Sequence, residues 1–353
     1  MREPSLSERK GFTLVELLIS MVILTLLLMV LVSMTSATQR TWISTTGKIE
    51  QFRDAREAFD SITRKLSQAM LNTYWDYHYP TGSTTPDGYV RQSELRFICG
   101  DTKTLTGATN TPTHAIFFQA PLGFVNDTSY SDMDNLLNTW GYFIEFADDS
   151  LARPDFINKM AHPPGLHSRF RLMELMEPAN SLTLYNAEVS AGGNSHYTAT
   201  DWFTTPFKGS SPYTAATRPV RVLAENIVAL VLLPKLTPEE DPTGILLSPK
   251  FSYDSTETND HNDSAVNEGI NWKNQLPPVI QVTMVAVDEA SFNRFQTGSV
   301  QPAFAEGLFA DPSKYAIDLQ TLQDNLRSHK INYRVFTTNV SIKSAKWSRE
   351  QAN

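Results

Sequence analysis

Cysteine is almost absent from this sequence, and basic residues are outnumbered. The single cysteine among 353 residues, Cys99, excludes an intramolecular disulfide. Lysine and arginine total 30 against 38 aspartates and glutamates, giving a formal net charge of −8, which argues against a nucleic-acid-binding surface. The length suffices for two average domains or one large one, so the chain can bury a substantial core without disulfides or metals.

Sequence signatures of catalysis are also missing. The seven histidines are scattered, and none stands in an HExxH or paired Cys/His spacing, so no zinc site is indicated. We find no G-x-S-x-G elbow, Walker loop or dinucleotide fingerprint. Because catalysis needs a convergent polar constellation, we predict no catalytic residues, no cofactor and a protein that is not an enzyme.

One acidic stretch, Asp254 to Glu268, offers oxygen ligands at a close spacing that suits Ca²⁺. The D-x-D-x-D-G order of an EF-hand is absent, so a solvated acidic loop is favoured over a metal site. If calcium does bind here, the candidate ligands are Asp254, Glu257, Asp260 and Asp263.

The long apolar run lies near the amino terminus. A polar leader containing Arg2, Arg9 and Lys10 precedes it, and the 21 residues from Phe12 to Val32 carry one charge, Glu16. About 20 helical residues at 1.5 Å each cross the roughly 30 Å hydrocarbon layer. Because the positive charges precede the span, we predict that the amino terminus lies inside.

Glu16 distinguishes this run from an ordinary signal. A carboxylate at this depth costs on the order of 2.5–3.5 kcal/mol, and neither of the simpler alternatives, a secretory signal or a plain signal anchor, accounts for it. A cut after Gly11 would create an α-ammonium on Phe12, one helical turn from Glu16. These charges would then neutralise each other between adjacent copies of the helix, favouring side-by-side assembly with an axial offset.

The segment Lys10-Gly11-Phe12-Thr13-Leu14-Val15-Glu16 resembles the cleavage and methylation motif of type IV pilins and type II secretion pseudopilins. The resemblance implies cleavage between Gly11 and Phe12 by a prepilin peptidase, N-methylation of Phe12, and a role for Glu16 in assembly. It implies as partners the prepilin peptidase/methyltransferase, other pilin or pseudopilin subunits and an inner-membrane assembly platform. It also implies a single-pass inner-membrane protein whose head lies in the periplasm or outside the cell.

Helical character continues beyond the span. No proline occurs from Phe12 to Leu71, so we predict one helix over 12–72, of which 12–32 is transmembrane and 33–72 amphipathic, after a leader peptide of residues 1–11. Its apolar stripe is expected to pack on the protein's own sheet rather than in a coiled coil. Eight of the fourteen residues from Ser33 to Thr46 are serine or threonine. Two alternatives stay open: this segment bends or melts on assembly, or its hydroxyls bond to the helix backbone.

Residues 73–353 have the pattern of a β-rich head with long loop insertions. The predicted strands are Leu95–Cys99, Ala115–Gln119, Tyr142–Phe146, Phe170–Leu175, Val220–Leu233, Val279–Val287 and Ile331–Ile342. Alternation in the last two predicts half-buried antiparallel strands, and the continuous apolar run Ile227–Leu233 predicts a strand covered on both faces. The predicted fold class is α+β, a long helix on a mostly antiparallel sheet.

The head adds a resemblance at the level of pattern. Arg221 to Ile227, followed by Trp272 and Leu276 to Ile280, is similar to J-type minor pseudopilins, and the wider layout resembles Verru_Chthon cassette protein C. The resemblance implies a pilin-like fold and a structural subunit of a type II secretion pseudopilus or type IV pilus-like filament. The alternative is a membrane-anchored binding module that does not polymerise and whose head binds a polysaccharide or a protein.

Overall fold

The computed structural model describes residues 13–130, 132–133, 135–150, 153–162, 164–184, 200–257, 271–295 and 298–348. The chain forms two compact units, Met1–Gln51 and Phe52–Asn353, and we call the second the head unit. The first element is a 53-residue helix, α1, from Leu14 to Leu66. Residues of α1 from Phe52 onward belong to the head unit.

Helix α1 ends at Leu66, six residues before the predicted end at residue 72. Backbone groups of the residues that follow Leu66 form hydrogen bonds with distant parts of the chain instead. The amide of Lys343 donates to the carbonyl of Ser67 at 3.0 Å, and the amide of Met70 donates to the carbonyl of Gln119 at 3.0 Å. These bonds satisfy backbone groups that would otherwise continue the helix. Leu66 is therefore the last helical residue.

Eleven strands lie in the described part of the chain. They are β1 Tyr74–His78, β2 Gly88–Gln92, β3 Ile98–Asp101, β4 His114–Pro121, β5 Leu137–Ala147, β6 Arg169–Glu177, β7 Val220–Glu225, β8 Ile227–Lys235, β9 Tyr253–Asp254, β10 Val279–Val287 and β11 Tyr333–Ser341. Shorter helices connect them: α2 Thr102–Thr106, α3 Asp155–Asn158, α4 Asp201–Lys208, α5 Glu289–Phe295 and α6 Tyr315–Ser328.

The strands form three antiparallel sheets. The largest has the order β7-β6-β5-β4-β3-β9, the second has the order β11-β10-β8, and β1 and β2 form a separate hairpin. Every pairing between these strands is antiparallel. The α+β class predicted from the sequence is confirmed.

The core of the head unit joins the end of α1 to the sheets. Ile62 and Leu66 are fully buried, and the ring centroids of Phe59 and Phe336, on β11, lie 5.8 Å apart. The amphipathic stripe thus packs on the protein's own sheet, as its periodicity predicted, and this burial stabilises the second half of the helix.

The predicted strand Val220–Leu233 is two strands. Asn226 separates β7 from β8 with a φ of +60°, a left-handed conformation that asparagine tolerates better than most residues. Its amide donates to the carbonyl of Phe170 at 2.7 Å, and its carbonyl accepts from Val287 at 2.9 Å. The chain therefore changes sheet at Asn226. As predicted, β8 is buried over its whole apolar run.

Two further predictions need correction. The strand predicted over Leu95–Cys99 begins at Ile98, because the amides of Arg96 and Phe97 donate to the side chains of Gln119 and Ser255 instead of to a neighbouring strand. Strand β10 is covered on both faces from Val282 onward rather than half-buried.

The second face of β10 is covered by α6, which lies 28 or more residues further along the chain. Thr283 is fully buried, and its hydroxyl lies 2.7 Å from the hydroxyl of Tyr315 at the start of α6. Alternation along β10 alone does not reveal that a helix covers its other face. The strands β1, β2 and β9 were not predicted from the sequence.

Candidate functional site

The first turn of α1 is built around Thr13 and Glu16. Glu16 Oε2 accepts from the backbone amide of Thr13 at 3.0 Å and from its hydroxyl at 3.0 Å. The amide of Glu16 donates to Thr13 Oγ1 at 3.3 Å. This reciprocal arrangement is a capping box, which satisfies amide groups left open at a helix start. It positions the carboxylate at the very beginning of the helix.

Of the three residues predicted for processing and assembly, Glu16 lies among the described residues. Gly11 and Phe12 lie outside the described residues. Within the described part of the chain, Glu16 forms no ion pair with a lysine or arginine, and its carboxylate contacts Thr13 only. Thr13 was missed as a functional residue, although the S/T-x-x-E spacing that signals a capping box was visible.

The helical segment that follows Glu16 is apolar on every side. Every leucine, isoleucine, valine and methionine from Leu14 to Met34 is more than half exposed. Leu14–Gln39 is the one helix in the described ranges that is long and apolar enough to cross a membrane. At 1.5 Å per residue its 26 residues extend about 39 Å, more than the roughly 30 Å of a hydrocarbon layer.

Hydroxyl side chains after this stretch bond to the helix backbone. Thr35, Thr38 and Thr41 each donate to the carbonyl four residues earlier, at 2.8, 2.9 and 3.0 Å. Ser33 donates to the carbonyl of Val30 at 2.9 Å. These bonds are the ones that the second alternative expects, because the hydroxyls find partners without interrupting the helix. Bending or melting of the segment on assembly stays a prediction.

A buried carboxylate in the head unit organises the end of α1. Glu174 on β6 is fully buried and accepts from the Tyr142 hydroxyl at 2.9 Å and from Arg221 Nε at 2.5 Å. It also pairs with the ammonium of Lys65, which lies 3.9 Å from the centroid of the Trp140 ring. Burial lowers the pKa of Lys65, although Glu174 opposes that shift. The network connects the end of α1 to the largest sheet. It was not predicted from the sequence.

A second buried carboxylate, Glu177, lies at the end of β6. It accepts from the Tyr213 hydroxyl at 2.9 Å and from the Thr183 hydroxyl at 3.0 Å. Burial raises its pKa to about 7, and the two hydrogen bonds oppose this shift. No basic side chain of the described residues pairs with it. Its carboxyl group therefore changes from neutral to ionised near pH 7.

The calcium candidates are only partly described. Asp254 is buried and pairs with Arg96, with Nε at 3.0 Å from Oδ1. The Thr256 hydroxyl donates to the same carboxylate at 2.8 Å. Glu257 is exposed, while Asp260 and Asp263 lie outside the described residues. Among the described residues no group of three or more acidic, histidine or cysteine side chains is placed to hold a metal, and the preference for a solvated acidic loop over a calcium site stays a prediction.

Comparison with known proteins yields one match. Residues 6–32 match the model of the prokaryotic N-terminal methylation motif. The chain thus carries a prepilin-type motif followed by an apolar helix, consistent with a pilin-like or pseudopilin-like protein processed by prepilin peptidase. No curated protein and no solved structure matches the chain.

Proposed function

We propose that this protein is a non-enzymatic structural subunit that is cut after Gly11, methylated on Phe12 and assembled into a type II secretion pseudopilus or a type IV pilus-like filament. The observation that carries the proposal is the match of residues 6–32 to the N-terminal methylation motif. The motif ends within an apolar helix of membrane-spanning length, so the cut falls directly before the span.

Glu16 is the residue that we assign to assembly. Its carboxylate has hydrogen bonds from Thr13 but no cation among the described residues. A charge in this state is costly within lipid. Cleavage after Gly11 generates a cation at Phe12, and a neighbouring subunit's new amino terminus would then neutralise Glu16. The ion pair would give the assembled state an advantage over the single subunit in the membrane.

The proposed location follows from the order of charges and apolar residues. The basic leader keeps the amino terminus in the cytoplasm, a single helix crosses the inner membrane, and the head lies in the periplasm or outside. Partners are the prepilin peptidase/methyltransferase, an inner-membrane assembly platform and other pilin-type subunits.

Intact-mass analysis of the protein from membranes tests the processing step. Expressed with a prepilin peptidase, the mature protein should have lost residues 1–11 and gained one methyl group. Expressed without the peptidase, it should keep the full mass. A mature chain starting at Thr38 would point to conventional signal cleavage, and an unchanged full-length chain in both strains would contradict the proposal.

Incorporation into filaments tests assembly. Glu16→Ala should still be processed but should be lost from sheared filament fractions. The matched control is Glu57→Ala, which removes an exposed glutamate of the same helix, 3.6 Å from Arg53. If both variants enter the filament as the wild type does, Glu16 has no role in assembly.

A second candidate function is a membrane-anchored binding module that uses the helix as a tether. The exposed aromatic side chains of the β1–β2 hairpin favour a binding activity of the head. Mature protein that carries methylated Phe12 but never appears in sheared filaments would support this alternative.

A further inference from the structure

The hairpin of β1 and β2 carries a cluster of aromatic side chains outside the core. Five of the nine aromatic side chains that are exposed in the described residues lie in this short segment; they are Tyr74, Trp75, Tyr77, Tyr79 and Tyr89. Single exposed aromatic residues are ordinary, whereas contiguous exposed patches mark interaction sites. The clustering therefore indicates a binding surface.

Four of these rings share one face of the hairpin. Alternate residues of a strand point to the same side, which places Trp75 and Tyr77 together, and the register pairs Tyr77 with Tyr89 and Trp75 with Arg91. Tyr79 follows the end of β1, and its ring lies beside that of Tyr77. We call these five residues the aromatic strip. From Trp75 to Tyr79 it extends about 13 Å at 3.3 Å per residue.

Three rings of the strip, those of Tyr77, Tyr79 and Tyr89, lie beside one another. The centroids of Tyr77 and Tyr89 lie 5.0 Å apart, and those of Tyr77 and Tyr79 lie 6.4 Å apart. The guanidinium of Arg91 lies 5.2 Å from the centroid of Trp75, a cation–π distance. Each of the four aromatic residues is nevertheless 51–53% exposed, so the strip is accessible to a ligand.

Polar contacts at both ends hold the hairpin in position. Near its base, Asn72 Oδ1 accepts from the amides of Glu94 and Leu95 at 2.9 and 3.1 Å. At the far end, His78 Nδ1 lies 2.6 Å from Asp87 Oδ1. The side chain of Asn274 donates to the carbonyl of Arg91 at 2.6 Å. The strip is thus preorganised, which reduces the entropy lost on binding.

We propose that the aromatic strip binds a neutral polysaccharide. A sugar ring has a face of C–H bonds that are electron-poor because each carbon carries oxygen, and an aromatic ring has an electron-rich face. Along the strip the centroids of Tyr77 and Tyr79 lie 6.4 Å apart, and Tyr89 widens it across the hairpin at 5.0 Å from Tyr77, so its length of about 13 Å suits a few consecutive sugar units.

Charge favours an uncharged ligand. The one cation of the strip, Arg91, lies over Trp75. Asp76 falls on the opposite face by alternation, and Asp87 contacts His78. Arg91 keeps its positive charge and none of the five residues is acidic, so the strip offers a ligand four rings and a single charge. Stacking on the rings, rather than an array of charges, is therefore the main attraction available to a ligand.

The surroundings favour a sugar over a protein. Protein hot spots are ringed by side chains that exclude water. Along the two strands the residues between and beside those of the strip are mostly polar or small, namely Asp76, His78, Gly88 and Gln92, with Tyr74 and Val90 as the exceptions. The tyrosine hydroxyls hydrogen-bond to one another at Tyr77 and Tyr89 and keep further capacity for the hydroxyl groups of a sugar. A sugar, which has a flat apolar face and a rim of hydroxyl groups, matches a surface whose rings are surrounded by polar groups and water.

The test uses the full chain, purified in a zwitterionic detergent without sugar headgroups. Binding to microcrystalline cellulose and chitin is measured by depletion, and binding to glucomannan, xyloglucan and dextran by affinity electrophoresis. Alginate and polygalacturonate serve as charged polymers. We expect binding to at least one neutral glycan, and we expect Trp75→Ala with Tyr77→Ala to weaken it at least tenfold.

Control variants separate ring stacking from general damage. Phe156→Ala removes another exposed ring, 68% exposed on α3, and should leave binding unchanged. Tyr89→Phe should keep most of the affinity because the ring stays. If the double variant fails to fold, Tyr79→Ala alone, outside both strands, should still weaken binding.

Four outcomes overturn the proposal. They are the absence of binding to all five neutral glycans, equal binding by the wild type and the strip variants, binding to the charged polymers only, and equally strong binding to phosphatidylcholine vesicles that is lost in the same variants. The last outcome would identify the strip as a lipid-contacting surface.

Discussion

Thr13 and Glu16 cap the first turn of α1 reciprocally: each supplies a side-chain oxygen that accepts the backbone amide of the other, at 3.3 and 3.0 Å. The carboxylate that we assign to assembly is therefore also a helix cap. These two roles depend on different properties, because the cap needs an acceptor oxygen, whereas the assembly ion pair needs a charge.

Two substitutions separate the roles. Glu16→Gln keeps an acceptor for the Thr13 amide but removes the charge, so we expect normal cleavage, a stable first turn and loss from filaments. Thr13→Val removes the hydroxyl but keeps the charge, so we expect faster exchange of the amides of Glu16 and Leu17, by about fivefold for a cap of about 1 kcal/mol, with assembly retained.

The measurements are hydrogen exchange of the detergent-solubilised chain and quantification of the subunit in sheared filaments. Thr13→Ser restores a hydroxyl and is the control. Equal loss of assembly in Glu16→Gln and Thr13→Val would mean that the cap, and not the charge, is what assembly requires.

The buried network around Glu174 leads to a prediction about stability. Glu174→Gln should lower the free energy of unfolding of the head unit by about 3 kcal/mol, because it leaves the Lys65 ammonium buried without a counter-charge. The double variant Lys65→Met with Glu174→Leu should recover much of this loss. Denaturant unfolding followed by tryptophan fluorescence measures both.

The control for this network is Asp324→Asn, which breaks an exposed ion pair with Arg327 at 2.9 Å. Exposed pairs contribute little to stability, so its unfolding curve should match the wild type. A Glu174→Gln variant as stable as this control would show that the network does not stabilise the fold.

Glu177 predicts a pH dependence with a defined sign. Burial raises the pKa of this carboxyl from 4.5 to about 7 in the folded protein. Between those values the unfolded chain has released the proton and the folded chain still holds it, so the contribution of Glu177 to stability is fully present below pH 4.5 and is lost as pH rises towards 7. The loss is on the order of 3 kcal/mol.

The contribution of His114 to stability changes with pH in the opposite direction. Burial lowers its pKa from 6.5 to about 4, so its contribution is present above pH 6.5 and is lost as pH falls towards 4. The measurement is therefore the difference between wild type and Glu177→Gln at each pH, in which His114 cancels. A difference that does not change from pH 4.5 to 7.5 would contradict the assignment to Glu177.

Cys99 provides a chemical reporter of unfolding. The thiol is fully buried, and burial raises its pKa, so the reactive thiolate is disfavoured and inaccessible. We expect no maleimide labelling of the native chain and complete labelling in guanidinium, read by mass. Phe156→Cys, at an exposed position of α3, should label rapidly without denaturant. Rapid native labelling of Cys99 itself would mean that the sheet opens locally.

Much of the fold could be predicted because its signals are local. The strands β4, β5, β6, β10 and β11 were found from apolar runs and turn residues, and their bounds differ from the structure by a few residues. The hairpin of β1 and β2 was missed because its aromatic residues face outward, so it lacks the alternation of a half-buried strand. Residues 95–97 were misassigned because their hydrogen bonds go to side chains far along the chain.

The sequence by itself determined the amino-terminal motif, since the proposed cleavage pair Gly11 and Phe12, the carboxylate Glu16 and the apolar span lie close together along the chain and need no folding to be recognised. Only the tertiary structure decided which carboxylates of the head are buried and which aromatic rings are not. Glu174 meets Lys65 across 109 residues, and the rings of the hairpin stay outside the core. Burial depends on partners that chain folding brings together from distant positions, and this is the information that a local pattern does not contain.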